Sequence, residues 1–581
     1  MAANSRRFFY LNLFLLAVAL PPFAQTAAQT LPLEGVYAGT LQAGEAQLHL
    51  VLHLTKSADA ALRATLDSLD QGVYAIEATH VSLSGSTLKI EVGSVGATFV
   101  GAISPDHKTI NGEWSQGSAS LALIFARQAN SKPSANVFPV EGIWQSALET
   151  QGLRLRFQLH ISHDTQDKLV AALDSLDQGV SGLPAVNISL NESAIHFEIP
   201  AVAGVYDGTL SVKRNTLSGK WTQTGVDNQA LNFKRSDQPL ALRRPQNPVK
   251  PYPYGEEEVS FTNGAAKVTL AGTLSLPKGK EPFPAIILIA GSGPLDRDGF
   301  IADHRPLLVL ADYLARKGFV VLRYDKRGVG KSSGATDTAS TLDLAADASA
   351  AIEFLKSRKA VDPAKIGLIG HSEGALIAPY LATHSNKDLA WLVLLAPPAT
   401  VGEETLLHQS ELIGRVGGLS DTQLESSLSF DHAAYDLVRA ESDPSALAGK
   451  IAQLVKDSQM DAVLPPAAIE TQLRMLSSPW FRFFLDYDPL PVLQTLETPT
   501  LALYGQKDLQ VPAKLNLPLI RKALQEGGNP DSDARELPGL NHLFQTAYSG
   551  SPAEYQAIEE TFSPAALQTI SDWLLVRAKR K

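Results

Sequence analysis

Lys365-Ile366-Gly367-Leu368-Ile369-Gly370-His371-Ser372-Glu373-Gly374-Ala375-Leu376-Ile377-Ala378 is an apolar run broken by a Gly-His-Ser-Glu-Gly turn and then resumed. The first half reads as a buried strand and the second as a helix, so the polar pentapeptide occupies a sharp strand-to-helix turn. Gly370 and Gly374 suit a turn in which backbone segments pass too close for a Cβ. Ser372 is then pushed out at the head of a helix, whose N-terminus favours developing negative charge. A bare Gly-x-Ser-x-Gly also occurs as an ordinary glycine turn; the strand before it and the helix after it make this one a nucleophile elbow.

Outward from the elbow, apolar β runs at 285–290, 319–324, 366–370, 392–396 and 500–504 alternate with helical patterns such as 342–359. That alternation calls for a parallel sheet covered on both faces. A serine hydroxyl is a poor nucleophile unless a histidine takes its proton and a carboxylate orients the histidine. Thr500-Leu-Ala-Leu-Tyr-Gly505 reads as a buried strand and delivers Asp508 onto the loop at its C-terminal end. Glu536-Leu-Pro-Gly-Leu-Asn541-His542-Leu-Phe544 closes the next strand with a loop histidine. Taken singly, Asp508 reads as a turn residue and His542 as a surface one. Together with Ser372 they stand in the chain order Ser, Asp, His that an elbow of this kind requires.

A tetrahedral intermediate also needs backbone donors aimed at its oxyanion. The amide of Glu373 follows the nucleophile, and the glycine-rich loop Gly291-Ser292-Gly293-Pro294 follows an early strand, so Ser292, with Gly293 as neighbour, is the second candidate. Asp296-Arg-Asp-Gly299 lacks the spaced oxygens and terminal Glu of a calcium loop and reads as a bracing ion-pair network. Gly330-Lys331-Ser332 is not a phosphate loop, because Asp325 stands where its first glycine belongs. Asp325 and Arg327 read instead as a structural turn beside the oxyanion loop.

Residues 398–498 form an insertion of mainly helical pattern, at 403–416, 445–458 and 466–476, and read as a cap over the site. It ends in the most aromatic stretch of the chain, where Trp480, Phe481 and Phe484 are candidate substrate-binding residues. Packing of the same rings in the core of the cap is the alternative.

The stretch from about residue 255 to 580 resembles the secreted α/β-hydrolases grouped with bacterial EstD-type carboxylesterases and serine aminopeptidase-like hydrolases. The resemblance rests on Gly291-Ser-Gly-Pro-Leu-Asp-Arg-Asp-Gly299, His304-Arg-Pro306, Leu322-Arg-Tyr-Asp-Lys-Arg-Gly-Val-Gly-Lys-Ser332, Gly370-His-Ser-Glu-Gly374, Asp508 and His542. It implies an α/β-hydrolase fold with a helical cap, and carboxylic ester hydrolysis through an acyl-enzyme on Ser372.

Ahead of this region the chain repeats itself. Leu66-Asp-Ser-Leu-Asp-Gln-Gly-Val73 returns as Leu173-Asp-Ser-Leu-Asp-Gln-Gly-Val180, and Ile110-Asn-Gly-Glu-Trp-Ser-Gln116 returns as Leu217-Ser-Gly-Lys-Trp-Thr-Gln223, both at an offset of 107 residues. Short alternating stretches at 48–54, 88–92 and 153–161 mark each unit as antiparallel β structure, a barrel or a sandwich. The Asp-Ser-Leu-Asp-Gln-Gly element reads as a tight turn in preference to a sugar or peptide site. Trp114 and Trp221 read as core anchors.

The expected organisation is a signal peptide at 1–28, β-rich repeats at 29–130 and 131–236, a proline-rich semi-rigid linker at 237–254, and the hydrolase domain at 255–581. The signal peptide reading rests on Arg6 and Arg7, the apolar run 8–20, and small residues to Ala28. It implies a periplasmic or secreted protein with no membrane anchor once the leader is removed. A net charge of −10 argues against nucleic acid or anionic lipid as partner and leaves a small neutral molecule. The absence of cysteine excludes disulfides, thiolate nucleophiles and cysteine-metal sites, and neither metal nor organic cofactor is expected. Three functions stand: an esterase for small or medium acyl esters; an amide hydrolase, such as an aminopeptidase with Glu373, Asp486 or Asp488 holding the substrate amine; and an envelope glycan-binding protein with an accessory hydrolase domain.

Overall fold

The computed structural model describes residues 33–579 apart from the short stretches 44–45, 57–61, 69–72, 79, 93–96, 117–118, 128–137, 151–152, 165–167, 179, 224–225, 241 and 459–465. The expected leader lies outside the described residues. The chain divides into an N-terminal unit that ends at Leu242 and a C-terminal unit that begins at Arg243.

In the N-terminal unit the first repeat is a nine-stranded antiparallel sheet, from Gly35–Ala43 to Ala119–Arg127. The second is a closed eight-stranded barrel, from Gly142–Thr150 to Val226–Ser236. Strand Val180–Asn191 of the barrel corresponds, at the 107-residue offset, to two strands of the first repeat, Val73–Glu77 and His80–Ser84. Inward positions are filled with Trp144, Leu159, Phe197, Tyr206 and Phe233, all at 0% exposure, so the barrel interior is packed core. Trp114 and Trp221 are buried at equivalent positions. The described acidic residues of the repeated element are engaged locally. Asp67 and Asp174 each pair with a histidine of the neighbouring strand, His53 at 2.7 Å and His160 at 2.9 Å. Asp177 accepts from the Arg156 guanidinium at 2.7 Å.

In the C-terminal unit the sheet strands are β1 (Gly255–Asn263), β2 (Val268–Leu276), β3 (Phe283–Ile289), β4 (Val320–Tyr324), β5 (Val361–His371), β6 (Trp391–Leu395), β7 (Thr500–Gly505) and β8 (Ser532–Leu537). Their order in the sheet is β1-β2-β4-β3-β5-β6-β7-β8. β1, β2 and β4 pair antiparallel, and everything from β4 through β3 to β8 is parallel. Every residue of β4, β6 and β7 is buried, as strands covered on both faces must be. Helices α1 (Pro306–Arg316), α2 (Thr341–Lys356) and α3 (Gly374–His384) carry the crossovers. α2 starts on a capping box in which Ser340 and Asp343 satisfy each other's backbone amides.

Between β6 and β7 lies the cap, formed by α4 (Gly402–Val416), α5 (Asp421–Ala440), α6 (Pro444–Asp457), α7 (Pro466–Leu476) and α8 (Pro479–Asp486). It has its own apolar core, built around Phe430, Val438, Leu447, Ile451, Phe481 and Leu485.

The proline-rich stretch corrects one expectation. Most of it is not a spacer but belongs to the C-terminal unit. The Arg244 guanidinium donates to the carbonyl oxygens of Gln556 at 2.6 Å, Asp303 at 3.1 Å and Ile558 at 3.2 Å. The Gln246 amide accepts from Thr561 N at 2.6 Å and Phe562 N at 3.0 Å and donates to Phe562 O at 2.6 Å. Tyr254 donates to Asp312 at 2.9 Å. Proline makes the segment stiff, and these bonds fix it in place.

Candidate active site

β5 runs into the elbow as the sequence pattern requires. Ser372 has φ of 53°, in the left-handed region that costs a residue with a Cβ on the order of 1 kcal/mol. The turn closes because Ser372 N donates to Leu395 O of β6 at 2.8 Å and Ala375 N donates back to Ser372 O at 2.8 Å. A Cβ at Gly370 would lie 2.0 Å from Gly374 O, and one at Gly374 would lie 2.2 Å from Ile289 O, so both positions admit only glycine.

Asp508 follows β7 and is 2% exposed. Its Oδ1 accepts the backbone N–H groups of Gln510 and Val511, each at 2.8 Å, which leaves Oδ2 to accept from His542 Nδ1 at 2.8 Å. That bond places the other imidazole nitrogen of His542 toward the pocket that Ser372 and His542 both line. The His542 loop is held from below. Asn541 Oδ1 accepts from Leu543 N and Gln545 N, and Asn541 Nδ2 donates to Gln545 Oε1 at 2.8 Å. Among the residues singled out from the sequence, Ser372, Asp508, His542 and Ser292 meet at this pocket or directly behind it.

The pocket is a cleft lined by Gly291, Ser292, His371, Ser372 and His542 and by apolar side chains, chiefly Leu295, Ile301, Leu307, Leu543 and Phe562. Among the described residues no Asp, Glu, Lys or Arg lines it. Glu373 is at the start of α3, where the first amides have no intrahelical acceptor. Gly291 packs against the elbow, so that a Cβ there would lie 3.2 Å from Ser372 Cβ, and Gly293 takes φ of 93°. Behind this loop, Arg297 pairs with Asp325 at 2.8 Å and Glu258 at 2.9 Å, and Asp325 Oδ2 accepts from Lys331 N at 3.1 Å. Asp296-Arg-Asp-Gly and the Asp325 turn are thus one brace. Among the described residues no group of three or more His, Cys, Asp or Glu is placed to hold a metal.

The aromatic residues expected to bind substrate are elsewhere. Phe481 and Phe484 are buried, Phe481 within the core of the cap, while Trp480 stacks on Phe484 at 5.3 Å and donates its indole N–H to Glu373 Oε1 at 2.6 Å. On an amphipathic helix as short as α8, sequence does not distinguish the face turned to the cap core from one turned to a ligand. The carboxylates considered for holding an amine are also engaged. Glu373 is paired with Lys326 at 3.2 Å, Asp486 with Arg439 at 2.8 Å, and Asp488 accepts from Leu490 N.

His371, missed at the level of sequence, lines the pocket beside the nucleophile. It donates from Nε2 to His542 O at 2.9 Å. Desolvation, together with the nearby His542, holds its pKa down at about 3, so it stays neutral and presents no like charge when His542 takes a proton. The adjacent Gly-x-Ser was its only signal. Phe562 had none, since it reaches the wall from far along the chain.

The chain matches the family described as "Serine aminopeptidase, S33" over residues 299–462. It is 28% identical to esterase EstD of Thermotoga maritima over 360 residues, which is 61% of this chain and 76% of that one. It is 27% identical to esterase FrsA of Yersinia enterocolitica over 205 residues, or 35% of this chain and less than half, 45%, of FrsA. A solved esterase structure from Pyrococcus furiosus superposes at a TM-score of 0.35 and 17% identity, covering 56% of this chain and 90% of that one. The sheet order and the sequence likenesses are independent observations and converge on one assignment: the C-terminal unit is an α/β hydrolase, similar to EstD-type esterases and to the serine aminopeptidase family.

Proposed function

We propose that the C-terminal unit hydrolyses carboxylic esters through an acyl-enzyme on Ser372. Ser372 Oγ attacks the ester carbonyl carbon while its proton passes to His542, whose imidazole Asp508 orients and stabilises as it becomes charged. The tetrahedral oxyanion takes hydrogen bonds from the amides of Glu373 and of the Ser292–Gly293 loop. Its collapse expels the alcohol, which leaves with the proton from His542. A water molecule activated by the same histidine then releases the acid. The observation that carries this reading is the 2.8 Å bond between His542 and a fully buried Asp508, beside a serine held in the left-handed conformation at the same pocket.

The pocket also favours an ester over a peptide with a free amino terminus. An ammonium group brought into apolar walls without a carboxylate partner would pay its desolvation uncompensated. An ester of an uncharged acid and alcohol pays nothing of the kind.

The test is hydrolysis of p-nitrophenyl acetate, butyrate and octanoate and of an aminoacyl-nitroanilide by the protein and its Ser372→Ala variant. Ester turnover is expected, with kcat about 10⁴-fold or more lower in the variant and no anilide turnover. Equal ester turnover in both proteins would remove Ser372 from the mechanism.

A further inference from the structure

Lys326 is 4% exposed, an unusual place for an ammonium group, and it follows directly from the buried strand β4. Its Nζ donates to Gly291 O at 2.5 Å and to Glu373 Oε2 at 3.2 Å. Glu373 is 1% exposed, and its other carboxylate oxygen accepts from Thr341 Oγ1 at 2.8 Å and Trp480 Nε1 at 2.6 Å. Five elements therefore meet at one buried ion pair: the loop after β3, the turn after β4, the start of α2, the elbow at the start of α3 and the cap helix α8. Neither Lys326 nor Trp480 lines the pocket.

The two partners of Lys326 are the two halves of the oxyanion hole. Glu373 carries one donor amide. The other half follows from peptide geometry: in a trans peptide unit the C=O of Gly291 and the N–H of Ser292 point in opposite directions. A cation that fixes the Gly291 carbonyl oxygen on the inner side turns the Ser292 N–H outward, and Ser292 lines the pocket. The same cation draws electron density from that amide and makes its N–H a stronger donor. The carboxylate of Glu373 balances the charge that would otherwise be stranded in a buried site.

We propose that Lys326 is a positioning residue for catalysis: through Gly291 O and the Glu373 carboxylate it orients both oxyanion donors, and Trp480 ties that arrangement to the cap. The proposal rests on the Ser372 acyl-enzyme reading. A group that acts on the oxyanion acts on kcat, and binding of the planar ester is left nearly unchanged.

The experiment compares the protein with Lys326→Met, Lys326→Arg, the charge-balanced double variant Lys326→Met with Glu373→Gln, and Trp480→Phe. The measurements are kcat and KM on p-nitrophenyl butyrate, and inhibition by an alkyl trifluoromethyl ketone, whose adduct with the serine carries an oxyanion. With Lys326→Met and the double variant, kcat is expected to fall about 10- to 100-fold with KM within about threefold, and ketone affinity to fall in proportion to kcat. Lys326→Arg, which keeps a cation on the carbonyl, should recover part of both. Trp480→Phe, which removes only the indole donor and keeps a ring in place, should show a smaller loss of the same kind and serves if the lysine variants do not fold. Folded variants with wild-type kcat and ketone affinity would overturn the clamp while leaving Ser372-dependent turnover intact. Turnover that survives Ser372→Ala would instead overturn the reading on which the clamp rests.

Discussion

His304 lies wholly inside the C-terminal unit, with Nδ1 2.9 Å from Thr561 Oγ1 and Nε2 donating to Tyr555 O at 2.8 Å. Burial, and then the charge of Arg244, hold its pKa down at about 4. In the unfolded chain it returns to about 6.5, so between these values the unfolded state binds a proton that the folded state refuses. Stability therefore falls as the pH drops through this window, and His371 acts in the same direction. By pH 5 the His304 contribution amounts to about 2 kcal/mol. Thermal unfolding followed from pH 7.5 to 5 should show a His304→Gln variant losing about that much less stability than the wild type, whereas parallel curves would exclude the histidine as the source. Ser372 and Asp508 were legible because each follows a strongly patterned strand within a few positions, and His542 because it completes the chain order Ser, Asp, His. Lys326 was not, because its partners Gly291 and Glu373 lie 35 and 47 residues away and nothing in its own neighbourhood announces them.

At the scale of elements, the cap carries a buried acid of its own. Asp431 is turned inward on α5, 8% exposed, and burial pushes its pKa up to about 6. The folded state here holds its proton more tightly than the unfolded chain, so stability is lost as the pH rises from about 4 to about 6, and the deficit persists above that. Asp431→Asn keeps the shape and removes the charge. It should stabilise the protein by about 3 kcal/mol at pH 8 and by much less at pH 4, as read from denaturant midpoints; equal effects at both pH values would rule out a charge origin. This aspartate also explains why α5 was harder to see in the sequence than its neighbours. Its inward face mixes Leu424, Phe430 and Val438 with Asp431 and Tyr435, which blurs the apolar stripe that marks α4, α6 and α7. The sheet strands had no such ambiguity, since runs like Trp391–Leu395 are apolar at every position and have one use in a soluble fold.

At the scale of the whole molecule, the duplication in the N-terminal unit was visible at once, because repeated residues need no structural interpretation, and its β character followed from period-two patterning. Whether each repeat closes was not visible, since barrel closure depends on hydrogen bonds between the first and last strands, such as Gly142–Thr150 with Val226–Ser236. The segment 243–254 is the reverse case, where composition described stiffness correctly and attachment not at all. Arg244 and Gln246 find partners more than 310 residues onward, at 556–562, and Arg244 and Tyr254 find others at Asp303 and Asp312. That docking has a functional side, because Gln246 binds both backbone groups of Phe562, which forms a wall of the pocket and stacks on Phe544 at 5.7 Å. Arg244 and Gln246 together make several half-buried hydrogen bonds, each worth about 1 kcal/mol net. The full-length Arg244→Ala, Gln246→Ala double variant should therefore lose about 2 to 4 kcal/mol of stability in the C-terminal unit and raise KM for p-nitrophenyl butyrate, with kcat changed less because Ser372, Asp508 and His542 keep their own supports. Unchanged unfolding and unchanged KM would mean that the segment merely rests on the domain it joins.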